Sequence, residues 1–321
     1  MATLPKLPVK MSMNIANPDA AFLRSLIPNQ GVGLARLEFI ISSIIGVHPN
    51  AVLNMAKVSS AAQLFIAEKA KGYKCPRDFY VRKLAEGVGT IAAAFFPKEV
   101  IVRLSDFKTN EYRSLVGGEN FERVEDNPML GFRGALRYIS DEFRRAFEME
   151  CEALNVVRKE FGLTNISLLI PFVRTVDEAK KVLVSLALQG LERSKELKIY
   201  MMCELPSNCV LADQFLALFD GFSLGTNDLT QLCLGADRDN AAVARDFDET
   251  DEAVKNLVRL AVKAAKRSGK YVGACGVRAE DEVFARWLIA EGVTTLSVSP
   301  DVLVPTALAL AQNPVKKKMF S

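Results

Sequence analysis

Residues 199–231 read IYMMCELPSNCVLADQFLALFDGFSLGTNDLTQ, and this stretch decides the fold. It contains two short apolar runs, at 199–203 and 221–225, separated by a segment of helical length. Runs of this length, bounded by polar residues and glycine, are typical of buried parallel strands. Two parallel strands joined through a helix form the unit from which parallel sheets are built. The sequence therefore predicts a protein of the α/β class.

Each of the two runs stops at a polar group. Glu204 follows the first run, and Asn227 and Asp228 follow the second. Because parallel strands end at the same edge of a sheet, we expect the two carboxylates side by side, where they repel each other unless a cation lies between them. A hard divalent ion with oxygen ligands fits such a pair. The alternative is structural, with Glu204 as an exposed strand end and Asp228 as the N-cap of a helix starting at Leu229.

The composition of the chain limits its number of domains and its classes of partner. The chain has 321 residues, half of them hydrophobic, which is enough for one large α/β domain or two smaller ones. Its 41 basic and 38 acidic residues give a net charge of only +3, so we expect no nucleic-acid partner. No uncharged apolar run approaches the roughly 18 residues of a membrane span, and the N-terminus does not resemble a signal peptide. Six cysteines without metal-binding spacing predict reduced thiols in a cytoplasmic protein.

Six further runs predict strands, which brings the total to eight. They lie at 9–16, 31–39, 100–104, 166–173, 271–275 and 295–299. Eight strands alternating with helices form either a doubly wound open sheet or a closed (β/α)8 barrel, and the strand count and chain length favour the barrel. We expect a single barrel domain over residues 1–321, with a long polar insertion after the third strand.

A barrel of this kind places its chemistry where the strands end and the following loops begin. Polar residues follow most of the predicted strands, and one more lies in the insertion: Arg36, Arg103, Arg133, Arg174, Glu204, Asn227, Asp228 and Cys275. Their position at one rim favours a single site over scattered surface residues. Several guanidinium groups predict a small, multiply anionic ligand, and the two acids predict bound Mg²⁺ or Mn²⁺. A cation and arginines around one oxygen stabilise an enolate or a transferring phosphoryl group.

The thiol of Cys275 has two interpretations. A cysteine in an apolar strand is usually a small core residue. Here, however, it lies at the rim end of its strand among glycine and alanine, which leaves room for a ligand at the sulfur. An unperturbed thiol is protonated at neutral pH and could deliver a proton to carbon. The residues alone leave both interpretations open.

Five motifs follow one another along the chain: GVGLARLEF at 31–39, VIVRLSDF at 100–107, NPMLGFRG at 127–134, GTNDLTQ at 225–231 and GACG at 273–276. In this order they resemble the C-terminal barrel of the phosphoenolpyruvate-utilising enzymes. Within that family, three segments resemble the phosphoenolpyruvate synthases most closely: IGVHP at 45–49, DFKTNEY at 106–112 and MMCELPSN at 201–208. The resemblance covers nearly the whole chain.

The resemblance implies a (β/α)8 domain that binds pyruvate or phosphoenolpyruvate with Mg²⁺, or with Mn²⁺ in its place. The implied reaction is that of a kinase-type phosphotransferase, in which a phosphohistidine on a mobile domain exchanges its phosphoryl group with the enolate oxygen of pyruvate. The implied substrate-binding residues are Arg36, Arg103, Arg133, Thr226 and Asn227. The implied metal ligands are Glu204 and Asp228, and the implied catalytic residues are Cys275, Arg36 and Arg103, with Cys275 exchanging a proton with the methyl carbon.

The resemblance also implies partners for the barrel. These are an ATP-binding domain and a phosphohistidine domain, on the same or a companion chain, and a second copy of the barrel in a homodimer. We expect this chain to be incomplete as an enzyme without the two domains. A stand-alone metal-dependent pyruvate lyase or aldolase and a non-catalytic dimeric relative of the family are the alternatives.

Three further positions carry expectations. His48, the only histidine, lies in the IGVHP segment, and we expect it to be structural. Val277 stands where the family pattern predicts Gln or Glu, and Ser299 stands where it predicts Asn. Both departures concern proton transfer to carbon, whereas the predicted metal and phosphate residues match the family.

Overall fold

The computed structural model describes residues 3–276 and 281–312. In these ranges eight parallel strands close into a barrel in chain order, with the last strand paired to the first, so the predicted (β/α)8 barrel is confirmed. The strands are β1 Lys10–Ile15, β2 Val32–Arg36, β3 Val100–Arg103, β4 Ile166–Ile170, β5 Ile199–Cys203, β6 Gly221–Gly225, β7 Tyr271–Cys275 and β8 Thr295–Val298.

Helices follow the strands and surround the barrel. The α-helices are α1 Ala21–Ser25, α2 Leu37–Phe39, α3 Pro49–Leu53, α4 Ser60–Lys69, α5 Pro76–Phe95, α6 Thr109–Arg113, α7 Ala135–Ile139, α8 Arg144–Asn155, α9 Val176–Leu188, α10 Pro206–Val210, α11 Ala212–Leu218, α12 Thr226–Leu234, α13 Glu252–Arg267, α14 Glu282–Glu291 and α15 Pro300–Gln312. Short 3₁₀ segments lie at Pro18–Ala20, Met55–Lys57, Gly118–Asn120 and Ala244–Asp246, and π-helical segments at Ile40–Ile45 and Val156–Glu160. In the described ranges no helix has both the length and the apolar character needed to cross a membrane.

The strand bounds agree with the sequence prediction in β5, β6 and β7, whereas the other five strands end at other residues than predicted. The prediction of strand to residue 39 is wrong, because β2 ends at Arg36 and helix α2 begins at Leu37. The prediction of strand to residue 173 is also wrong, because β4 ends at Ile170, before Pro171, which has no N–H to donate to a neighbouring strand.

The strands are buried on both faces, as expected for a parallel sheet covered by helices. One small cluster fills the inside of the barrel: Leu34, Ile101, Leu169, Tyr200, Met202 and Cys275. Alternate strand residues, such as Met201 and Cys203, belong to the much larger core between the strands and the helices. The inner cluster therefore fills the interior of the barrel, and the site lies above it at the carboxyl ends of the strands.

The predicted insertion after β3 is a packed unit. Its centre is Arg137, which is fully buried and donates two hydrogen bonds of 2.7 Å to the carboxylate of Glu122. Nε2 of His48 lies 3.0 Å from the same carboxylate, and Nδ1 accepts the N–H of Asn50 at 3.1 Å. Burial lowers the pKa of His48, so its ring is neutral at pH 7. The histidine is therefore a fixed structural link between the insertion and α3.

Candidate active site

A cavity of about 250 Å³ opens at the carboxyl ends of the strands. It is lined by seven residues that the sequence predicted for the site: Arg36, Arg103, Arg133, Glu204, Asn227, Asp228 and Cys275. They come from β2, β3, β7, the insertion and the segments after β5 and β6, so closure of the barrel brings together residues up to 239 positions apart. Five charged residues of the same lining were not predicted as site residues: Glu38, Asp106, Lys108, Glu111 and Arg238.

Three carboxylates meet inside this cavity. One oxygen from each of Asp106, Glu204 and Asp228 lies within 4.8 Å of the others. The sequence predicted the last two, but Asp106 was missed as a member of the cluster. Spacing could have identified it, because Asp106 follows the end of β3 by three residues, as Asp228 follows the end of β6.

Glu204 is a buried member of the acidic cluster and is 2 % exposed. Its Oε1 accepts the N–H of Phe172 at 2.7 Å, while its own N–H donates to the side chain of Asn208 at 3.2 Å. Burial, with the nearby charges of Asp228 and Asp106, raises the pKa of Glu204 to about 8. The carboxyl is therefore protonated at pH 7 unless a cation replaces the proton.

The residue that donates to Glu204 is held in an unusual backbone conformation. Phe172 has a φ of 47°, in the left-handed region that residues other than glycine rarely adopt, at a cost of about 1–3 kcal/mol. Its ring lies 4.0 Å from the guanidinium of Arg133 and 4.8 Å from that of Arg174. One strained residue thus orients the carboxylate of Glu204 through its backbone and supports two arginines through its ring.

Arg133 bridges two of the three acids. Its Nε and Nη2 donate to Asp106 at 3.1 and 2.6 Å, and Nη2 also donates to Oδ2 of Asp228 at 3.0 Å. Burial opposes its charge, but Asp106 and Asp228 raise the pKa of Arg133 above its usual value. The guanidinium therefore stays charged while buried beside the acids.

Arg103 and Glu38 form a second ion pair in the cavity lining. Nη2 of Arg103 donates to Oε1 of Glu38 at 2.8 Å, and the same oxygen accepts the N–H of Asp106 at 2.7 Å. Burial would lower the pKa of Arg103, but Glu38 and Asp106 raise it. Within the described part of the chain, the buried Nε of Arg103 has no hydrogen-bond partner, so this donor is available to a ligand. Burial, followed by repulsion from Arg103, lowers the pKa of Arg36, which favours an anion between the two arginines.

The segment after β6 differs from its predicted structure. Helix α12 begins at Thr226 with Gly225 at the N-cap position, so Asp228 lies inside the first turn and the alternative of an N-cap role is wrong. Asn227 and Asp228 line the cavity. Thr226 is fully buried instead, and its hydroxyl donates to Glu249 at 2.6 Å. Its side chain lies outside the cavity lining.

Cys275 ends β7 at the floor of the cavity and is 4 % exposed. The hydroxyl of Ser223 donates to its sulfur at 3.3 Å. Burial raises the pKa of Cys275, although Ser223 and the two arginines, Arg103 and Arg36, oppose the shift. The sulfur is therefore a protonated thiol at pH 7 that faces the same space as the arginines and acids.

Two further predicted positions, Arg174 and Ser299, lie outside the cavity lining. Arg174 donates to the backbone carbonyls of Gly131 and Arg133 at 2.5 and 3.2 Å, so it supports the loop that carries Arg133. Ser299 is exposed after β8. Val277 lies outside the described residues.

The lining carries five cations and five acids among the described residues. A divalent ion beside the three clustered carboxylates would leave a net charge of +2, which suits a small multiply charged anion. Clustered carboxylate oxygens are also the ligands that hard cations such as Mg²⁺ prefer. The donor set therefore fits a hard divalent cation together with an anionic ligand.

Comparison with known proteins identifies the family of the chain. The family described as "PEP-utilising enzyme, PEP-binding domain" matches residues 1–315. Phosphoenolpyruvate synthases of Escherichia coli K12 and Deinococcus radiodurans are 58 % and 55 % identical over 97 % and 96 % of the chain. The chain spans about two fifths of the length of these curated relatives (39 % and 40 %).

A solved structure supports the fold alone. The chain is similar to a citrate lyase beta subunit from M. tuberculosis, complexed with oxaloacetate and magnesium, with a TM-score of 0.50 and 12 % identity over 95 % of this chain and 98 % of that one. The family match over nearly all of the chain is the stronger finding. The chain belongs to the family of PEP-binding domains of the PEP-utilising enzymes.

Proposed function

We propose that this chain is the barrel of a phosphoenolpyruvate synthase that binds phosphoenolpyruvate or pyruvate. In the proposed reaction, a phosphoryl group passes between a phosphohistidine on another domain and the enolate oxygen of pyruvate. The observation that carries the proposal is the meeting of three arginines and three acids around one cavity. The high identity to proteins of that name over the whole barrel supports it.

The proposed metal is Mg²⁺, with Mn²⁺ as an alternative of the same ligand preference. Glu204 and Asp228 would hold it, and Asp106 lies close enough to be a third ligand or to accept a hydrogen bond from a bound water. When bound, the ion would neutralise negative charge as it develops on the enolate and phosphoryl oxygens. The raised pKa of Glu204 supports this assignment, since a cation in the cluster relieves the repulsion that causes the shift.

The three arginines would bind the anionic groups of the ligand. Arg36 and Arg103 lie on adjacent strands, paired in register, and the free Nε of Arg103 offers one unused donor. Arg133 comes from the insertion instead of a strand and contacts both Asp106 and Asp228. A small anion between them would receive charge-assisted hydrogen bonds from two directions, which fixes its orientation as well as its affinity. Asn227 would add an uncharged donor beside the acids, whereas Thr226 is not part of the proposed contact set because its hydroxyl donates to Glu249.

Cys275 is the proposed proton donor and acceptor at the methyl carbon of the ligand. The sulfur carries a proton at neutral pH, and the donor hydrogen bond from Ser223 would stabilise the thiolate left after proton transfer. The nearby charges of Arg103 and Arg36 would do the same. The thiol is thus suited to give a proton to an enolate and to take it back.

The proposal includes partners. An ATP-binding domain and a phosphohistidine domain would supply the phosphoryl group, and the resemblance implies a homodimer through the barrel. A cytoplasmic location belongs to the same proposal and is supported by the six free thiols, since reduced cysteines persist in that compartment. Sedimentation equilibrium of the chain would test the dimer.

Calorimetric titration tests the ligand. We expect the chain to bind phosphoenolpyruvate in the presence of Mg²⁺, and Glu204→Ala and Arg103→Ala each to weaken that binding by a factor of about ten or more, since each removes a charged contact. Arg123→Ala is the matched control, because Arg123 forms an exposed ion pair with Glu142 in the insertion. Wild-type affinity in both site variants would refute the proposed site.

A further inference from the structure

A second, fully buried acid lies behind the site. Glu150 projects from α8 and is 1 % exposed. Its Oε2 accepts the N–H of Ser105 at 3.3 Å, and its Oε1 accepts the hydroxyl of the same serine in a short hydrogen bond. The carboxylate therefore holds one residue of the loop after β3 by two donors at once.

Every polar group of Ser105 has a buried partner. Besides its two bonds to Glu150, its hydroxyl oxygen accepts the phenol of Tyr112 at 3.0 Å, and its backbone carbonyl accepts the phenol of Tyr138 at 2.7 Å. Glu150 lies on α8, Tyr112 on α6 and Tyr138 on α7, so side chains from three helices hold this single residue. A serine held at all of its polar atoms sets the direction of the backbone on both sides.

The residues on either side of Ser105 belong to the site. Arg103 lies two positions earlier and Asp106 one position later, and both donate to Oε1 of Glu38. The segment 103–106 is thus fixed by Glu38 on the cavity side and by Glu150 from behind. A change in the Ser105–Glu150 contact would move an arginine and an acid of the cavity together.

An acid at this position is costly, and packing alone does not require it. Burial raises the pKa of Glu150 to about 7, and its other neighbours are the phenols of Tyr80, Tyr112 and Tyr138, the thiol of Cys151 and the carboxylate of Glu38. No lysine or arginine contributes to its ionisation in the described part of the chain. A glutamine of the same shape would avoid that cost but has only one acceptor atom for the two donors of Ser105.

We propose that Glu150 is a positioning residue, whose carboxylate holds both donors of Ser105 from behind the barrel and thereby sets the placement of Arg103 and Asp106 in the cavity. Its effect on ligand affinity rests on the proposed function, whereas its effect on the backbone at 103–106 does not. Glu150 touches no ligand and acts only through Ser105.

Two measurements on Glu150→Gln test this inference. We expect the amide hydrogens of 105–106 to exchange at least tenfold faster in hydrogen–deuterium exchange. The reason is that the single acceptor oxygen of glutamine cannot accept both the N–H and the hydroxyl of Ser105. We also expect the affinity for phosphoenolpyruvate with Mg²⁺ to fall about tenfold. Ser105→Ala, which keeps its backbone N–H bond but loses the hydroxyl, should show a smaller change in both measurements.

Two controls separate positioning from general stability. Glu148→Gln changes a half-buried acid on the same helix and should alter neither measurement. Val258→Ala removes core packing in α13, so it should lower the melting temperature and leave affinity unchanged.

The outcomes distinguish this inference from the proposed function. Two results would overturn the inference. One is amide hydrogen exchange at 105–106 in Glu150→Gln at the wild-type rate. The other is an equal loss of affinity in Val258→Ala when both variants have the same loss of folding stability. If the wild-type chain binds no phosphoenolpyruvate, the proposed function fails, and the exchange measurement, which needs no ligand, still decides the role of Glu150.

Discussion

Nη2 of Arg133 lies 3.0 Å from Oδ2 of Asp228 and connects the insertion after β3 to the first turn of α12 across the cavity. The same nitrogen lies 2.6 Å from Oδ2 of Asp106. A guanidinium therefore occupies part of the space between two acids that a metal ion would share. If Asp228 binds the metal, Arg133 keeps its contacts with Asp106 and Met129, and the share of Nη2 that Asp228 releases becomes available to the ligand.

The bidentate contact between Arg133 and Asp106 leads to the first prediction. Arg133→Lys keeps the charge but cannot donate two parallel hydrogen bonds to Asp106 while reaching Asp228. We expect affinity for phosphoenolpyruvate with Mg²⁺ to fall about 10- to 100-fold, the effect of losing one charge-assisted hydrogen bond of about 1.5–3 kcal/mol. Calorimetry would measure it, with the exposed Arg123→Lys of the same insertion as the control. Equal affinities in the lysine variant and the wild type would contradict this role.

The sequence predicted the barrel and its rim because both depend on local patterns. Apolar runs such as Ile199–Cys203 and Gly221–Gly225 have the strand bounds predicted for them, and parallel strands deliver the residues that follow them to one end. Seven of the predicted side chains accordingly line one cavity. The strand ends near Arg36 and Ile170 were less predictable, since apolar residues continue past both and a helix or a proline decides where the strand stops.

The residues that were missed are those whose role depends on distant partners. Glu38 pairs with Arg103 from 65 positions away, and its place in the sequence resembles an ordinary first-turn acid. Asp106 pairs with Arg133 across 27 positions through a loop whose path the sequence does not specify. Arg174 is the opposite case, a residue that was predicted for the site but does not line it. It follows the fourth strand as predicted, but its guanidinium donates to backbone carbonyls of the insertion.

The raised pKa of Glu204, about 8 against an ordinary 4.5, predicts a pH dependence of metal binding. At pH 7 the buried carboxyl is protonated and must lose its proton to bind Mg²⁺. We expect Mg²⁺ affinity to rise by up to about tenfold per pH unit from pH 6.5 to 8 and to level off above, with close to one proton released at pH 7. Calorimetry in buffers of different ionisation enthalpy would measure both.

The same shift affects the stability of the metal-free chain. Between about pH 4.5 and 8 the folded state holds a proton that the unfolded state has released, so the free energy of unfolding should fall as pH rises through this range. Added Mg²⁺ should restore the melting temperature at pH 8 more than at pH 6. Glu204→Gln, which cannot titrate, should lack the corresponding part of the pH dependence. If the Mg²⁺ affinity of the wild type does not change with pH, Glu204 is ionised without metal.

The protonated thiol of Cys275 predicts a separation of binding from proton transfer. Cys275→Ala should bind phosphoenolpyruvate within about twofold of the wild type, because the arginines and the acids are unchanged. Exchange of pyruvate methyl hydrogens with solvent, followed by NMR with Mg²⁺ present, should slow about 100-fold or more, the usual effect of losing a general acid or base. Cys75→Ala removes an exposed thiol and is the matched control. If the methyl hydrogens of pyruvate exchange as fast in Cys275→Ala as in the wild type, another group transfers the proton and Cys275 is a core residue.

Gly225 leads to the last prediction, because a side chain added at this position would meet Glu204 of the acidic cluster. A Cβ at this position would lie 2.7 Å from Oε2 of Glu204 and 2.7 Å from Cε of Met202, closer than real Cβ contacts allow. Since Glu204 is anchored by the N–H of Phe172, Gly225→Ala should push the carboxylate off its position and weaken Mg²⁺ binding about tenfold or more. Gly235→Ala follows the other end of α12, where a Cβ meets open space and only the positive φ of 64° adds strain, so it should cost about 1 kcal/mol of stability without weakening the metal. Equal Mg²⁺ affinities in the two variants would mean that Glu204 is not held at the metal by this close packing.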